Sequence, residues 1–278
     1  MSPIELLDDP RNASNAQTES YAAFGECIYC GSKNKLTDEH IVPYGLGGTF
    51  ILPKSSCLAC AKITGKIERT CLRTMLGDLR SWRNIRRRRR GKKNKYIPRP
   101  MLAQIGNRLA PYAAPSSDER ADVAMMFALD APTILSGKSP IDGQFHRGIW
   151  VNGAIGQKAK ETAALAFNEP VRRIASQASF NPELFSKMLA KIAHAHAMAD
   201  EAGQFNPLLP PYIVGDAKHL TGFLVGGEPN PVPNSNTLFE VSLLRVKGIT
   251  DAKYLMSRIR LFGDLGAPVY YVVVGELL

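Results

Sequence analysis

No stretch of this 278-residue chain approaches the roughly 18 consecutive apolar residues that a membrane-spanning helix needs, so no membrane association is expected. Met1 to Tyr21 lacks both the basic start and the apolar stretch of a secretory signal, and reads instead as a polar tail rich in Asn, Ser and Asp. A cytoplasmic chain is the expectation. Cysteine is scarce, at five residues, and four of those fall into two Cys-x-x-Cys pairs. Without an export signal, disulfides are the weaker reading of those pairs and metal binding the stronger. Cys71 is left over; its spacing from Ile63 and Ile67 sets it on a helical apolar stripe as a packed thiol.

Acidic residues are missing from one segment altogether. Arg80, Arg83, Arg86, Arg87, Arg88, Arg89, Arg90, Lys92, Lys93 and Lys95 follow one another with no acid between them. They carry the whole net charge of +10, since the rest of the chain holds 25 basic and 25 acidic residues. Such a run repels itself and is exposed unless a polyanion meets it. Phosphate neutralisation releases counterions, so the segment points to salt-dependent, sequence-independent binding of nucleic acid. A solvated linker that binds nothing is the alternative.

The composition divides the chain into a disordered tail over 1–22, a cysteine module over 23–79, a basic connector over 80–100 and a second domain over 101–278. In the last part, Asn181-Pro182-Glu183 is a helix start: a capping residue, a proline where its missing N–H is harmless, and an acid at the positive end of the dipole. Leu184, Phe185, Met188, Leu189 and Ile192 continue at helical spacing to about Ala199. Phe239, Val241 and Leu243 alternate with polar residues, and Pro268 to Val274 is a β-branched apolar run; both predict strands. Residues 253–262 fit a strand or a short helix. The second domain is therefore expected to be α+β, closing in an antiparallel meander, with no evident catalytic set. His194 and His196, two apart on the helix, cannot chelate one ion together and are expected as core or surface histidines.

Cys27-Ile28-Tyr29-Cys30 and Cys57-Leu58-Ala59-Cys60 stand 26 residues apart, so four thiolates can converge on one structural Zn²⁺. Two separate redox pairs are the alternative, disfavoured because neither pair is expected to open a helix after a strand. Between the pairs run Thr37-Asp38-Glu39-His40-Ile41-Val42-Pro43 and Leu46-Gly47-Gly48. From Gly25 to Glu68 the pattern resembles the HNH (ββα-metal) endonuclease family. The resemblance implies a small zinc-stapled ββα module followed by the larger α+β domain. It implies that His40 is the general base and Glu39 a catalytic metal-ligand acid, with Mg²⁺ or Mn²⁺ as the catalytic ion. The chemistry agrees: a neutral imidazole accepts a proton from water near pH 7, and a divalent cation stabilises charge on a phosphate. Asp38 is read as an orienting residue and second candidate. Apolar residues near Phe50 and Ile51, and Ala61, stand where most of the family has its further Asn or His residues. Glu68 is the substitute ligand that helical spacing offers.

Lys62, Lys66, Arg69, Arg73 and Arg80 recur at steps that keep them within a wedge of about 60° on one helix, a basic stripe roughly 27 Å long. Lys and Arg on phosphates position a duplex without reading its bases. Ile63, Ile67, Cys71 and Met75 occupy the buried side. The reading is a metal-dependent HNH-type endonuclease acting on nucleic acid, with double-stranded DNA as the partner. The rival is a non-catalytic zinc-containing nucleic-acid-binding protein, and a third option is a scaffold whose zinc knuckle only folds the N-terminus.

Overall fold

The computed structural model describes residues 5–6, 21–83, 85, 100–113, 124–139, 146–152, 157–176, 181–228, 230 and 232–278. Arg86 to Arg90 and the lysines after them lie outside these residues. In chain order the elements are β1 (Glu5–Leu6), β2 (Leu36–His40), β3 (Ile51–Cys57), α1 (Leu58–Thr74), α2 (Gly77–Trp82), β4 (Pro100–Ile105), β5 (Arg108–Ala113), β6 (Ala124–Leu129), β7 (His146–Asn152), α3 (Gln157–Phe167), β8 (Val171–Ser176), α4 (Pro182–Asp200), β9 (Phe205–Pro207), α5 (Pro210–Val214), β10 (Val225–Gly227), β11 (Phe239–Lys247), β12 (Lys253–Leu261) and β13 (Val269–Leu277). The protein is mixed α+β, and every strand pairing described is antiparallel.

A six-stranded sheet runs β1-β11-β12-β13-β10, with β9 also on β13. Residues 253–261 are thus a strand, and the meander expected at the end of the chain is present. Glu5 and Leu6 pair with Lys247 and Val246, which corrects the expectation of a wholly disordered tail at these two residues. The cap of α4 is as the sequence implies, with the Asn181 side chain accepting the Leu184 N–H at 2.9 Å. Phe185 through Ala197 are buried without interruption, so α4 is enclosed on all sides rather than on one face. It packs on β12 and β13 from one direction and on α1 from another. One apolar core consequently runs from Ile28 and Leu46 in the cysteine module to Val272 and Val273 in the meander. A separate small core, including Met101, Ala103 and Ile174, belongs to β4, β5, β8 and α3.

The helix after Cys57 is shorter than its charge pattern predicts. It stops at Thr74, where the N–H groups of Met75 and Leu76 both reach the Cys71 carbonyl, and the chain restarts as α2 at Gly77. Glycine is the least favourable helix residue after proline, and Leu76 and Leu79 gain full burial by the change of direction. The continuous basic stripe therefore ends at Arg73, and Arg80 belongs to a different helix. The apolar face is also rotated: Cys60, Thr64, Ile67 and Cys71 are buried, whereas Ile63 remains 39% exposed. Cys71 is fully buried, and that burial pushes its thiol up to about 12, as befits a packed, unreactive residue.

Candidate functional site

Cys57 is the last residue of β3 and Cys60 lies in the first turn of α1, while Cys27 and Cys30 flank a tight turn closed by the Gly31 N–H on the Cys27 carbonyl at 2.8 Å. Gly31 occupies φ +70°, a conformation that suits glycine. The Ile28 N–H bonds the Ser55 carbonyl at 2.8 Å, which holds this turn against β3. All four sulfurs lie within 4.8 Å of one another, and Cys30 Sγ is 3.7 Å from Cys57 Sγ. Tetrahedral zinc with bonds of about 2.3 Å spaces its sulfurs about 3.8 Å apart, so the cluster fits a metal such as zinc. The Cys60 backbone N–H donates to the Cys57 sulfur and lowers that thiol to about 7, favouring the thiolate a metal requires. The second pair does open a helix after a strand, contrary to expectation. The convergence of all four thiols, rather than that placement, is what argues against separate redox pairs.

β2 and β3 form an antiparallel hairpin that leads directly into α1. Their register shifts between Thr37 and Glu39, placing Asp38 at a bulge. Bulges re-aim the side chains that follow them. Here Glu39 turns inward and is buried, while His40 is half-buried with its ring edge-on to Tyr44 at 5.9 Å between centroids. Asp38 Oδ1 accepts the Lys54 N–H of the facing strand at 3.1 Å. Thr37, Asp38, Glu39 and His40 line a cavity of about 610 Å³ with Tyr44, Ala61, Glu68, Arg69, Arg73 and Arg80. Arg69 and Arg73 are exposed and line it; Lys62 and Lys66 are exposed on the same stretch of helix but do not line it.

Arg80 makes contacts its spacing did not suggest. Its Nε donates to the Gly45 carbonyl and its Nη1 to the Leu72 carbonyl at 3.1 Å, tying the Tyr44–Leu46 turn to α1. A side chain on Gly45 would meet Leu72 Cδ1 at 2.7 Å and the Arg80 guanidinium at 3.0 Å, so one or both of these flexible side chains would have to move aside. Arg80 thus ties the turn at the cavity to α1 from the second helix.

The residue missed entirely from the sequence is Lys191. Its side chain comes from α4, is fully buried, and places Nζ 2.8 Å from Glu39 Oε1 and 2.8 Å from Glu68 Oε1. Nζ also donates to the His40 carbonyl and reaches the Ile41 carbonyl at 3.5 Å. Burial alone pulls this ammonium's pKa down, but the two carboxylates outweigh it and hold Lys191 above the usual lysine value. Glu39 and Glu68 do converge, as a metal-ligand pair must, yet a lysine stands between them. A divalent ion within about 4 Å of that ammonium would be repelled by about 4 kcal/mol per unit charge at an effective dielectric of about 20. As arranged, the acid pair does not fit Mg²⁺ or Mn²⁺.

A legible signal existed. On a largely apolar helix, Lys187, Lys191 and His194 fall at steps of four and three, a polar stripe that burial obliges to find partners. Lys187 Nζ reaches the Gly215 carbonyl at 3.3 Å, and His194 Nε2 pairs with the Ile28 carbonyl at 2.7 Å inside the cysteine module. The Tyr29 ring lies 5.5 Å from that of His194. His196 instead faces Asp200 at 3.1 Å. Because a carbonyl only accepts, His194 carries its proton on Nε2.

Burial lowers His194 to about 4, against an ordinary value of 6.5. The folded state thus prefers the neutral ring, and between those two values the unfolded chain binds the proton more readily. Stability from this group is complete above about pH 6.5 and is lost as the pH falls towards 4, a change of about 3 kcal/mol. His194→Gln, which keeps an N–H near the Ile28 carbonyl, is expected to flatten that part of the stability profile in urea melts between pH 7 and pH 4. An unchanged profile in the variant would show that other groups set the acid limit.

Comparison of the chain with protein-family models, with curated proteins and with solved structures finds no match. No helix among the described residues is long and apolar enough to cross a membrane.

Proposed function

We propose that this chain is an HNH-type nuclease that hydrolyses phosphodiester bonds in nucleic acid, with double-stranded DNA as the expected substrate and a structural zinc on Cys27, Cys30, Cys57 and Cys60. One observation carries the reading: His40 lines a cavity together with Arg69 and Arg73, on the hairpin and helix that also carry Cys57 and Cys60. The two guanidiniums offer charge-assisted hydrogen bonds to phosphate oxygens, and Lys62 and Lys66 extend the cationic face along α1. With neutral imidazole as base, His40 takes a proton from water as the water oxygen bonds to phosphorus. The ester P–O bond breaks, and the leaving oxygen takes up a proton from solvent. The arginines offset the charge that builds on the phosphate. No divalent ion at Glu39 or Glu68 enters these steps.

Incubation with supercoiled plasmid, with and without added Mg²⁺ or Mn²⁺, tests the proposal. The wild type is expected to nick or linearise the plasmid. His40→Ala is expected to lose about 10²–10⁴-fold in rate while keeping its metal and its affinity for DNA. Equal cleavage by the variant would remove His40 from the chemistry. A second reading, a non-catalytic zinc-containing nucleic-acid-binding protein, draws on Lys191 between the acids and on Ala61 lining the cavity without a ligand atom. It predicts a salt-dependent complex with DNA and no cleavage under any of these conditions.

A further inference from the structure

We infer that Lys191 is the resident cation of the Glu39–Glu68 pair, so that the site works without a divalent metal on those carboxylates. The inference deepens the proposed reading of this cavity by naming what neutralises its acids. Four oxygens surround one nitrogen: Glu39 Oε1 and Glu68 Oε1 at 2.8 Å each, the His40 carbonyl, and the Ile41 carbonyl at 3.5 Å. An ammonium has only three N–H donors, so four oxygens of the protein already compete for them, Glu68 Oε1 as an ion-pair partner. Lys191 is therefore a positioning residue. It fixes two carboxylates from separate elements and also holds the backbone that carries the His40 imidazole.

The enclosure of α4 makes this arrangement hard to exchange. A surface lysine can swing aside for an incoming ion, whereas the Lys191 side chain is 0% exposed on a helix packed between α1 and the meander. To admit a divalent ion, either α4 must shift or the ammonium must lose its proton among two carboxylates. The charge at the mouth of the cavity is supplied instead by Arg69 and Arg73, which are exposed and within reach of a phosphate.

Mn²⁺ titration of the zinc-loaded protein, followed by the loss of the free-ion electron paramagnetic resonance signal, tests this without any turnover. Wild type and Glu39→Gln are expected to bind Mn²⁺ equally weakly. Lys191→Ala, which removes the ammonium and opens room for a hydrated ion, is expected to gain a site at least about tenfold tighter, and Lys191→Ala/Glu39→Gln to lose it again. A wild-type Mn²⁺ site abolished by Glu39→Gln would overturn the inference, as would a folded Lys191→Ala chain with no gain. If Lys191→Ala does not fold, Lys191→Met takes its place, and the comparison of wild type with Glu39→Gln still decides. The plasmid assay keeps the two ideas apart. Cleavage that requires Mg²⁺ or Mn²⁺ overturns the metal-free site and leaves the nuclease reading standing. Absence of cleavage in every condition overturns the nuclease reading and leaves the Mn²⁺ result on the acids intact.

Discussion

A chelator strong enough to strip zinc from Cys27, Cys30, Cys57 and Cys60 is expected to unfold residues 21–83 and to lower the cooperativity of the whole chain. The sulfurs join the Cys27–Cys30 turn to the junction of β3 and α1, which the Ile28–Ser55 backbone bond and the shared apolar core also connect. Apparent zinc-binding free energies in small four-ligand sites are about 10–16 kcal/mol at neutral pH, as large as the total stability of an ordinary domain. Elemental analysis should give one zinc per chain before chelation, and hydrogen exchange should then show protection lost first in β2, β3 and α1. Cys60→Ser is expected to reproduce the effect. A melting curve indifferent to both treatments would mean that the thiols merely pack.

Replacing Lys191 with methionine should cost about 3–5 kcal/mol, because it leaves two buried or part-buried carboxylates facing each other with their counter-ion gone. The aliphatic stem is retained, so little of the loss comes from packing. The combination Lys191→Met with Glu39→Gln and Glu68→Gln is expected to recover most of it, since the unpaired charges disappear together. Urea denaturation of the single and triple variants measures both quantities. A single-variant cost below about 1 kcal/mol would show that water reaches the ammonium freely, as in a surface ion pair.

The cysteine pairs, the start of α4 and the closing strands were all legible in the sequence, because each rests on local spacing or on a cap that needs no distant partner. Cys27 and Cys60 announce themselves by their neighbours at three residues, and Asn181-Pro182-Glu183 by its order alone. Arg80 misled because periodicity continues through Gly77 while the backbone does not. Leu76 and Leu79 are drawn into the core, and tertiary burial outweighs the helix that the charges imply. Lys191, although part of a polar stripe on α4, was passed over for a different reason. Its partners, Glu39 and Glu68, lie far away in the chain, and a lysine on a helix is ordinarily solvated. His194 was placed in the core or at the surface without a contact, and only the fold reveals that it grips Ile28.

The span between Lys191 and the main chain of His40 is 151 residues, and it has a bearing on how this protein is made. A growing polypeptide of a hundred residues already holds the four thiols, the imidazole and the arginines, yet neither Lys191 nor His194 has been synthesised. At that length the two acids lack the ammonium, and the cysteine turn the imidazole, that they meet in the complete fold. α4 must therefore be synthesised before the acids meet their ammonium and before the cavity takes the shape described.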